Sequence, residues 1–178
     1  MCPPCLRALP SCPPLAPVPP LARLSAGLLY EPAPRSLVLG LKLRGLRCHG
    51  PPLADAISRS AWRDGVTGDL VTWVPGNRAE ARRRGYDHAE VLARLVAARL
   101  GLPVRRLLEL RGGKVDQTSL TGAQRRENPK DAFVARRVHA RVVLVDDVMT
   151  TGATICACAG ALRRAGADAV EGLVGCRA

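Results

Sequence analysis

Residues 142–154 read VVLVDDVMTTGAT, and this stretch decides the fold. Val142 to Val145 is an unbroken apolar run rich in branched residues, which is typical of a parallel strand buried on both faces. Two adjacent carboxylates, Asp146 and Asp147, follow the run, and after a loop of small and hydroxyl residues a helical pattern covers 153–165. This order of strand, loop and helix is the unit from which parallel α/β sheets are built.

The loop after the two aspartates has the composition of a phosphate-binding site. In open parallel sheets, ligands bind at the carboxyl ends of the strands, and free N–H groups at a helix N-terminus attract phosphate. No bulky side chain blocks those groups in the loop, which consists of Thr150, Thr151, Gly152, Ala153 and Thr154. A Walker-type loop is excluded because no Gly-Lys-Ser/Thr follows. We therefore expect this loop to bind a phosphate monoester.

Two carboxylates beside a phosphate site indicate a ligand that carries hydroxyl groups or a divalent cation. Ribose 5-phosphate meets this requirement, because its 2′ and 3′ hydroxyls can donate to Asp146 and Asp147 while its phosphate lies on the helix end. The same carboxylates would offset the charge of an oxocarbenium-like transition state, so they are the candidate catalytic residues. A plain helix N-cap accounts for one aspartate and one threonine, but not for the whole run after a strand.

Strand and helix patterns alternate along most of the remaining chain. Strands are predicted at 70–74, 104–108, 142–145 and 169–174. Helices are predicted at 36–47, 54–62, 88–100 and 153–165. Residues 111–131 are polar and predict a long loop. The alternation predicts an α/β protein with a central, mostly parallel sheet flanked by helices.

The first 35 residues differ in composition from the rest because prolines recur through them. Proline blocks helix and sheet hydrogen bonding, so we predict an appendage with few core contacts over 1–35 and a globular domain over 36–178. Most of the seven cysteines are expected to be buried free thiols.

The chain has a formal net charge of +12, carried mainly by arginine, since it contains three lysines. Residues 142–178 carry about −1, so the positive charge lies outside the segment with the phosphate loop. Such a field suits nucleic acid or a phosphorylated metabolite, and a basic surface that only aids solubility is the simpler alternative. No apolar run approaches the roughly 18 residues of a membrane span. We expect a cytoplasmic protein without membrane insertion.

The stretch 142–154 resembles the ribose-phosphate-binding signature of the type I phosphoribosyltransferases. Within that family the chain resembles the ComF-like competence proteins over residues 36–178. The elements that carry this likeness are LKLRG at 41–45, Val74-Pro75, RRRGY at 82–86, and Gln117 with RREN at 125–128. The resemblance implies the type I phosphoribosyltransferase fold and a ligand such as phosphoribosyl pyrophosphate, with Mg²⁺ on Asp146 and Asp147. It also implies an N-terminal zinc module, for which the Pro/Cys-rich segment contains Cys2, Cys5 and Cys12. Tetrahedral zinc needs four ligands; Cys48 or His49 could complete the site, and a degenerate module without zinc is the alternative.

The resemblance also implies roles for residues outside the phosphate loop. The loop after Pro75, with Arg82 and Arg84, would face the pyrophosphate, which as a leaving group needs cationic donors and Mg²⁺. A solvated turn is the alternative interpretation of these arginines. A mobile flap that excludes water would be formed by the segment with Gln117, Arg125 and Arg126. Asp87-His88 replaces the family's Asn-Gln pair, and we interpret His88 as a helix-start residue rather than a catalytic base.

Three functions follow from these expectations. The first is Mg²⁺-dependent transfer of a phosphoribosyl group to a nitrogenous acceptor. The second is a non-catalytic accessory role in DNA uptake, with single-stranded DNA or a protein of the competence machinery as partner, although few aromatics are present to stack bases. The third is a ligand-sensing regulator. The acceptor, and whether the chain forms a homodimer, stay open.

Overall fold

The structure, a computed structural model, describes residues 8–111 and 132–178. Its main strands are β1 (Arg23–Leu29), β2 (Leu70–Trp73), β5 (Arg141–Met149) and β6 (Ala169–Arg177). They form one parallel sheet in the order β1-β6-β5-β2. A separate antiparallel pair consists of β3 (Leu108–Leu110) and β4 (Phe133–Ala135). The predicted α/β class with a central parallel sheet is confirmed.

Helices cover both faces of this sheet. The described helices are α1 (Pro32–Leu43), α2 (Gly50–Arg63), α3 (Arg78–Arg84), α4 (His88–Leu100) and α5 (Ala153–Arg164). Side chains alternate along a strand, so Val143 and Val145 of β5 pack with α1, α2 and α4. Val142 and Leu144 pack on the opposite face with α5 and the β3–β4 pair. In residues 8–111 and 132–178, we find no helix whose length and apolar character would suit a membrane crossing.

Most predicted elements are present, with shifted boundaries. The first helix begins at Pro32 rather than at residue 36, because proline is compatible with the first turn of a helix. β5 continues to Met149, so the two aspartates lie inside a strand and not in a turn. The strand predicted at 104–108 is found at 108–110, and Val104 makes only an isolated bridge to Val71. Beyond Arg111, the predicted loop lies outside the described residues.

The predicted appendage over residues 1–35 is wrong for the segment that forms β1. This strand lies at the edge of the sheet, parallel to β6, with Leu24, Ala26 and Leu28 buried in the core. Cys12 is also buried, and its N–H donates to the carbonyl of Gly27 at 3.1 Å. The high proline content concealed the strand, because β1 is defined by pairing with a segment far along the chain. The boundary at 35/36 therefore does not separate an appendage from the domain.

Candidate functional site

The phosphate loop connects the end of β5 to the start of α5. Gly152 caps the helix with φ 81°, in the left-handed region that favours glycine. Because Gly152 has no side chain, no side-chain group at this position accepts a hydrogen bond from the first turn of the helix. The Oγ1 atom of Thr151 instead accepts a hydrogen bond from the N–H of Ala153 at 3.3 Å. Thr150, Thr151 and Thr154 are exposed around this helix end. The helix N-terminus is thus open to a ligand from solvent.

A small hollow of about 40 Å³ joins the loop to one of the two aspartates. It is lined by the predicted loop residues together with Asp146 and neighbouring β5 and α5 residues. The structure therefore brings Asp146 together with Thr150, Thr151, Gly152, Ala153 and Thr154, as the sequence predicted. Asp147 does not line the hollow. Adjacent residues of a strand point to opposite faces, so Asp146 faces α5 and Asp147 faces the side of α1 and α4.

Asp147 is buried and fully engaged by protein donors. Its Oδ2 atom lies 3.1 Å from Lys42 Nζ and 3.1 Å from His88 Nε2, and its Oδ1 accepts the N–H of Val148 at 2.8 Å. Burial on its own would raise the pKa of this carboxyl. The hydrogen bond from His88 and the charge of Lys42 outweigh burial and lower the pKa of Asp147 to about 2. Asp147 is therefore an ionised anchor for two neighbouring helices.

Asp146 has the opposite electrostatic character. Burial and the charge of Asp147 hold the pKa of Asp146 well above its usual value, although the N–H of Asp147 donates to its Oδ1 at 2.8 Å. Its side chain is half-buried at the hollow. A hydroxyl donor or a cation from a ligand would relieve this unfavourable charge. Asp146 is thus the better placed of the two carboxylates to contact a ligand.

β6 lies unusually close to the end of β5 that carries the two aspartates. A Cβ atom at Gly175 of β6 would lie 2.6 Å from the carbonyl oxygen of Asp147, too close for any other residue without a backbone shift. The guanidinium of Arg177, at the end of β6, donates to the carbonyl of Thr150. The last residues of β6 therefore contact both β5, which carries the two aspartates, and the start of the phosphate loop.

His88 and Lys42 are site residues that the sequence prediction missed. α4 begins at His88, as predicted, but the ring also extends to Asp147. Arg84 Nη2 lies 3.4 Å from His88 Nδ1, and a guanidinium can only donate, so Nδ1 accepts and Nε2–H donates to Asp147. The sequence signal for Lys42 is its position in the LKLRG element at 41–45.

The predicted pyrophosphate arginines lie on a helix, not in a loop. α3 starts after Asn77, whose side chain accepts the N–H groups of Ala79 and Glu80, and it ends at Gly85 with φ 76°. The structure gives Arg84 partners within the protein: its side chain is 8% exposed and donates to the carbonyl of Lys42 at 2.7 Å and to Glu80 at 3.2 Å. Because the helix turns this side chain inward, the Nε atom of Arg84 is buried, and it has no hydrogen-bond partner among the described residues. Arg82, in contrast, is exposed.

Arg82 lines a cleft next to the end of β2. This cleft has a volume of about 370 Å³ and includes Pro75, Gly76, Asp87, Glu90 and Arg106. Its carboxylates are already engaged: Asp87 accepts from Trp73 Nε1 at 3.3 Å and Glu90 from Arg94 at 2.7 Å. The guanidinium groups of Arg82 and Arg106 have no hydrogen-bond or charged partner within 8–111 and 132–178. The cleft thus contains two arginine side chains that are free to bind an anion. Of these, Arg106 is not among the site residues predicted from the sequence.

Asp146 and Asp147 differ in how well they suit a metal ion. Among residues 8–111 and 132–178, no group of three or more Cys, His, Asp and Glu side chains could hold a metal ion. Asp147 fits Mg²⁺ poorly because two cationic or N–H donors occupy its Oδ2 atom. Asp146 could serve as the one protein ligand of a Mg²⁺ ion. Water molecules and the oxygens of a phosphorylated ligand would then complete the coordination, which is how Mg²⁺ is usually bound.

Several predicted residues cannot be placed. Cys2 and Cys5 lie outside the described residues, so zinc stays a prediction; Cys12 packs in the core, and burial raises the pKa of its thiol. The cysteines of the described segments are free, and Cys158 and Cys176 are buried as expected. The flap residues Gln117, Arg125 and Arg126 also lie outside the described residues.

Part of this chain is similar in sequence to a known protein. No family model matches it. Competence protein F of Haemophilus influenzae is 33% identical over 109 residues, which cover 58% of this chain and 48% of that protein. The chain thus spans about half the length of that relative.

Solved structures share the fold. The glutamine phosphoribosylpyrophosphate amidotransferase of B. subtilis, complexed with ADP and GMP, superposes with a TM-score of 0.52 at 24% identity, covering 73% of this chain and 26% of that one. Adenine phosphoribosyltransferase of Leishmania tarentolae, with a TM-score of 0.41, 15% identity and coverage of 70% and 55%, is too distant to support a conclusion. The chain is therefore similar to competence protein F over part of its length, and it shares the fold of the phosphoribosylpyrophosphate amidotransferase over most of its own.

Proposed function

We propose that the chain binds a ribose 5-phosphate compound of the phosphoribosyl pyrophosphate class at the carboxyl end of β5. The observation that carries this proposal is the hollow shared by Asp146 and the phosphate loop at the N-terminus of α5. The 5-phosphate would accept hydrogen bonds from the first-turn N–H groups and the threonine hydroxyls. The ribose hydroxyls would donate to Asp146, the half-buried carboxylate whose charge is unfavourable in the absence of a donor.

The diphosphate end of the ligand would lie towards the cleft after β2. β2 and β5 are neighbours in register, with Trp73 opposite Val145, so Pro75 follows β2 at the same edge as the aspartates. Arg82 and Arg106 line this cleft and have no partner in the described residues. Mg²⁺ would arrive with the diphosphate and take at most one carboxylate, that of Asp146.

Transfer to a nitrogenous acceptor is the reaction that this arrangement would support. The bond from C1′ to the diphosphate oxygen breaks, a bond from C1′ to the acceptor nitrogen forms, and the acceptor nitrogen loses a proton. Asp146 would stabilise positive charge on the sugar as the diphosphate departs. Bound Mg²⁺ would supply charge neutralisation for the leaving group.

Calorimetric titration with Mg²⁺ and phosphoribosyl pyrophosphate tests the proposal. The double variant Asp146→Asn with Asp147→Asn should weaken binding by roughly 1–3 kcal/mol, the scale of lost charged hydrogen bonds. Asp168→Asn is the matched control, because it removes an exposed carboxylate at the opposite end of the sheet. Unchanged affinity in the double variant, or no binding by the native chain, would overturn the assignment.

The likeness to competence protein F favours a second function, an accessory role in DNA uptake without strong catalysis. Here the basic surface would bind single-stranded DNA, and affinity would fall steeply with salt as condensed cations are displaced. Arg82 and Arg83 are the described candidates; Arg84 is buried, and Arg125 and Arg126 lie outside the described residues. Because Arg82 would also serve the diphosphate, phosphoribosyl pyrophosphate with Mg²⁺ should compete with DNA.

Fluorescence anisotropy of a labelled oligonucleotide at two salt concentrations separates the two functions. Weak, salt-sensitive binding that the precursor reduces would indicate one shared surface. Tight binding that ignores the precursor would favour a dedicated DNA-handling role on another face. No binding at any salt would leave the small-molecule function alone.

A further inference from the structure

Lys42 places a cation at the carboxyl edge of the sheet. It lies in the last turn of α1, with its Nζ atom 3.1 Å from Asp147 Oδ2. Its side chain is 38% exposed, whereas that of Asp147 is 6% exposed. The ammonium group thus lies between a buried carboxylate and solvent, at the carboxyl end of β5.

The ammonium group has donor capacity beyond this ion pair. It carries three N–H groups, and the ion pair with Asp147 uses one of them. No second hydrogen bond to the ammonium is found within residues 8–111 and 132–178. Burial lowers the pKa of Lys42, but the carboxylates of Asp147, Asp146 and Glu80 outweigh it and raise the pKa above its ordinary value, so the group is charged at neutral pH.

The backbone that carries Lys42 is fixed to the corner between α3 and α4. Arg84 Nη1 donates to the carbonyl of Lys42 at 2.7 Å, and the hydroxyl of Tyr86 donates to the carbonyl of Leu41. The guanidinium of Arg47 stacks on the Tyr86 ring, 4.6 Å from its centroid. Arg84 therefore holds one end of the lysine and Asp147 the other, which reduces the conformational freedom that ligand binding would have to remove.

We infer that Lys42 is a ligand-binding residue of this site, whose ammonium contacts the diphosphate end of the ligand, and that Asp147 is its positioning residue. The inference rests on the proposed function for the identity of the ligand. Asp147 then acts through Lys42, which explains why a carboxylate next to the hollow faces away from it. If the ion pair were only structural, loss of Lys42 would lower the stability of the fold without weakening ligand binding.

Affinity and lysine reactivity together test this inference. Lys42→Met should raise the Kd for Mg²⁺-phosphoribosyl pyrophosphate roughly 10- to 100-fold, the effect of one charge-assisted hydrogen bond. Lys42→Arg should lose less, because it keeps the charge. Arg44→Met is the matched control: it removes an exposed cation two residues away and should leave Kd within about twofold.

The second readout uses the native chain, which has three lysines, Lys42, Lys114 and Lys130. The rate of acetylation at Lys42, followed by peptide mass spectrometry, should fall when inorganic diphosphate or phosphoribosyl pyrophosphate is added. Protection by diphosphate without binding of the precursor would support the Lys42 site while overturning the proposed ligand. Tight precursor binding that neither protects Lys42 nor depends on it would overturn this inference alone. No protection and no binding would overturn both.

Discussion

The Nε2 atom of His88, the first residue of α4, lies 3.1 Å from Oδ2 of Asp147 on β5, and both side chains are buried. Because Arg84 approaches the other ring nitrogen, the ring is held in the tautomer that donates to the carboxylate. The contact joins the α3–α4 corner to the end of the strand next to the phosphate loop. A ligand that touches either side would therefore affect a common network.

The depressed pKa of Asp147 predicts a defined pH dependence of stability. Its carboxyl has a pKa of about 2 in the folded chain against an ordinary value of 3.8, so its stabilising effect is complete well above pH 3.8 and is lost as pH falls towards 2. Asp147→Asn should lower the free energy of unfolding by about 2 kcal/mol at pH 7 and by about half as much at pH 3. Urea unfolding at both pH values measures this. An equal loss at the two pH values would contradict it.

The raised pKa of Asp146 predicts a pH dependence of stability opposite to that of Asp147. A folded state that holds its proton more tightly than the unfolded chain loses stability as pH rises above the unfolded pKa. Asp146→Asn should therefore raise the melting temperature at pH 7, and this gain should disappear below the usual aspartate pKa. The same substitution should weaken ligand binding. Thermal unfolding of Asp146→Asn beside Asp168→Asn checks the prediction, and a lower melting temperature at pH 7 would count against it.

Two arginines on one helix should behave differently. Arg84→Met should destabilise the fold by roughly 1–3 kcal/mol, because its buried guanidinium donates to Lys42 and Glu80. Arg82→Met should change stability by less than about 0.5 kcal/mol, yet weaken diphosphate binding, since Arg82 is exposed at the cleft. Chemical denaturation and titration of the two variants provide the comparison. Equal stability of the two variants would show that Arg84 is not an anchor.

The edge strand β1 should be essential to the fold. Removing residues 1–31 would expose the whole edge of β6 and remove the buried apolar side chains of Cys12, Leu21, Leu24, Ala26 and Leu28, so cooperative thermal unfolding should be lost. Leu28→Ala should cost about 2–5 kcal/mol, because Leu28 is 1% exposed. Val18→Ala, in the same proline-rich stretch but 40% exposed, is the control. A truncated chain that still unfolds cooperatively would restore the appendage interpretation.

Local sequence alone determined β5, the phosphate loop and the helix that follows. The branched apolar run, the two aspartates and the loop with Gly152 are contiguous, so their order already specifies a strand, a turn and a helix N-terminus. The same is true of α4, where apolar spacing and the glycine at 101 predicted both ends. These features depend on interactions within a few residues of one another.

Tertiary structure decided which residues share the site. Strand alternation turns Asp146 and Asp147 to opposite faces, but only packing brings Lys42 and His88 to Asp147. The same is true of Arg84, which the helix α3 directs onto the carbonyl of Lys42, and of β1, which became a strand by pairing with β6. These contacts join positions more than 40 residues apart, and no local propensity encodes them, because the free energy that forms them comes from burial and pairing in the folded chain.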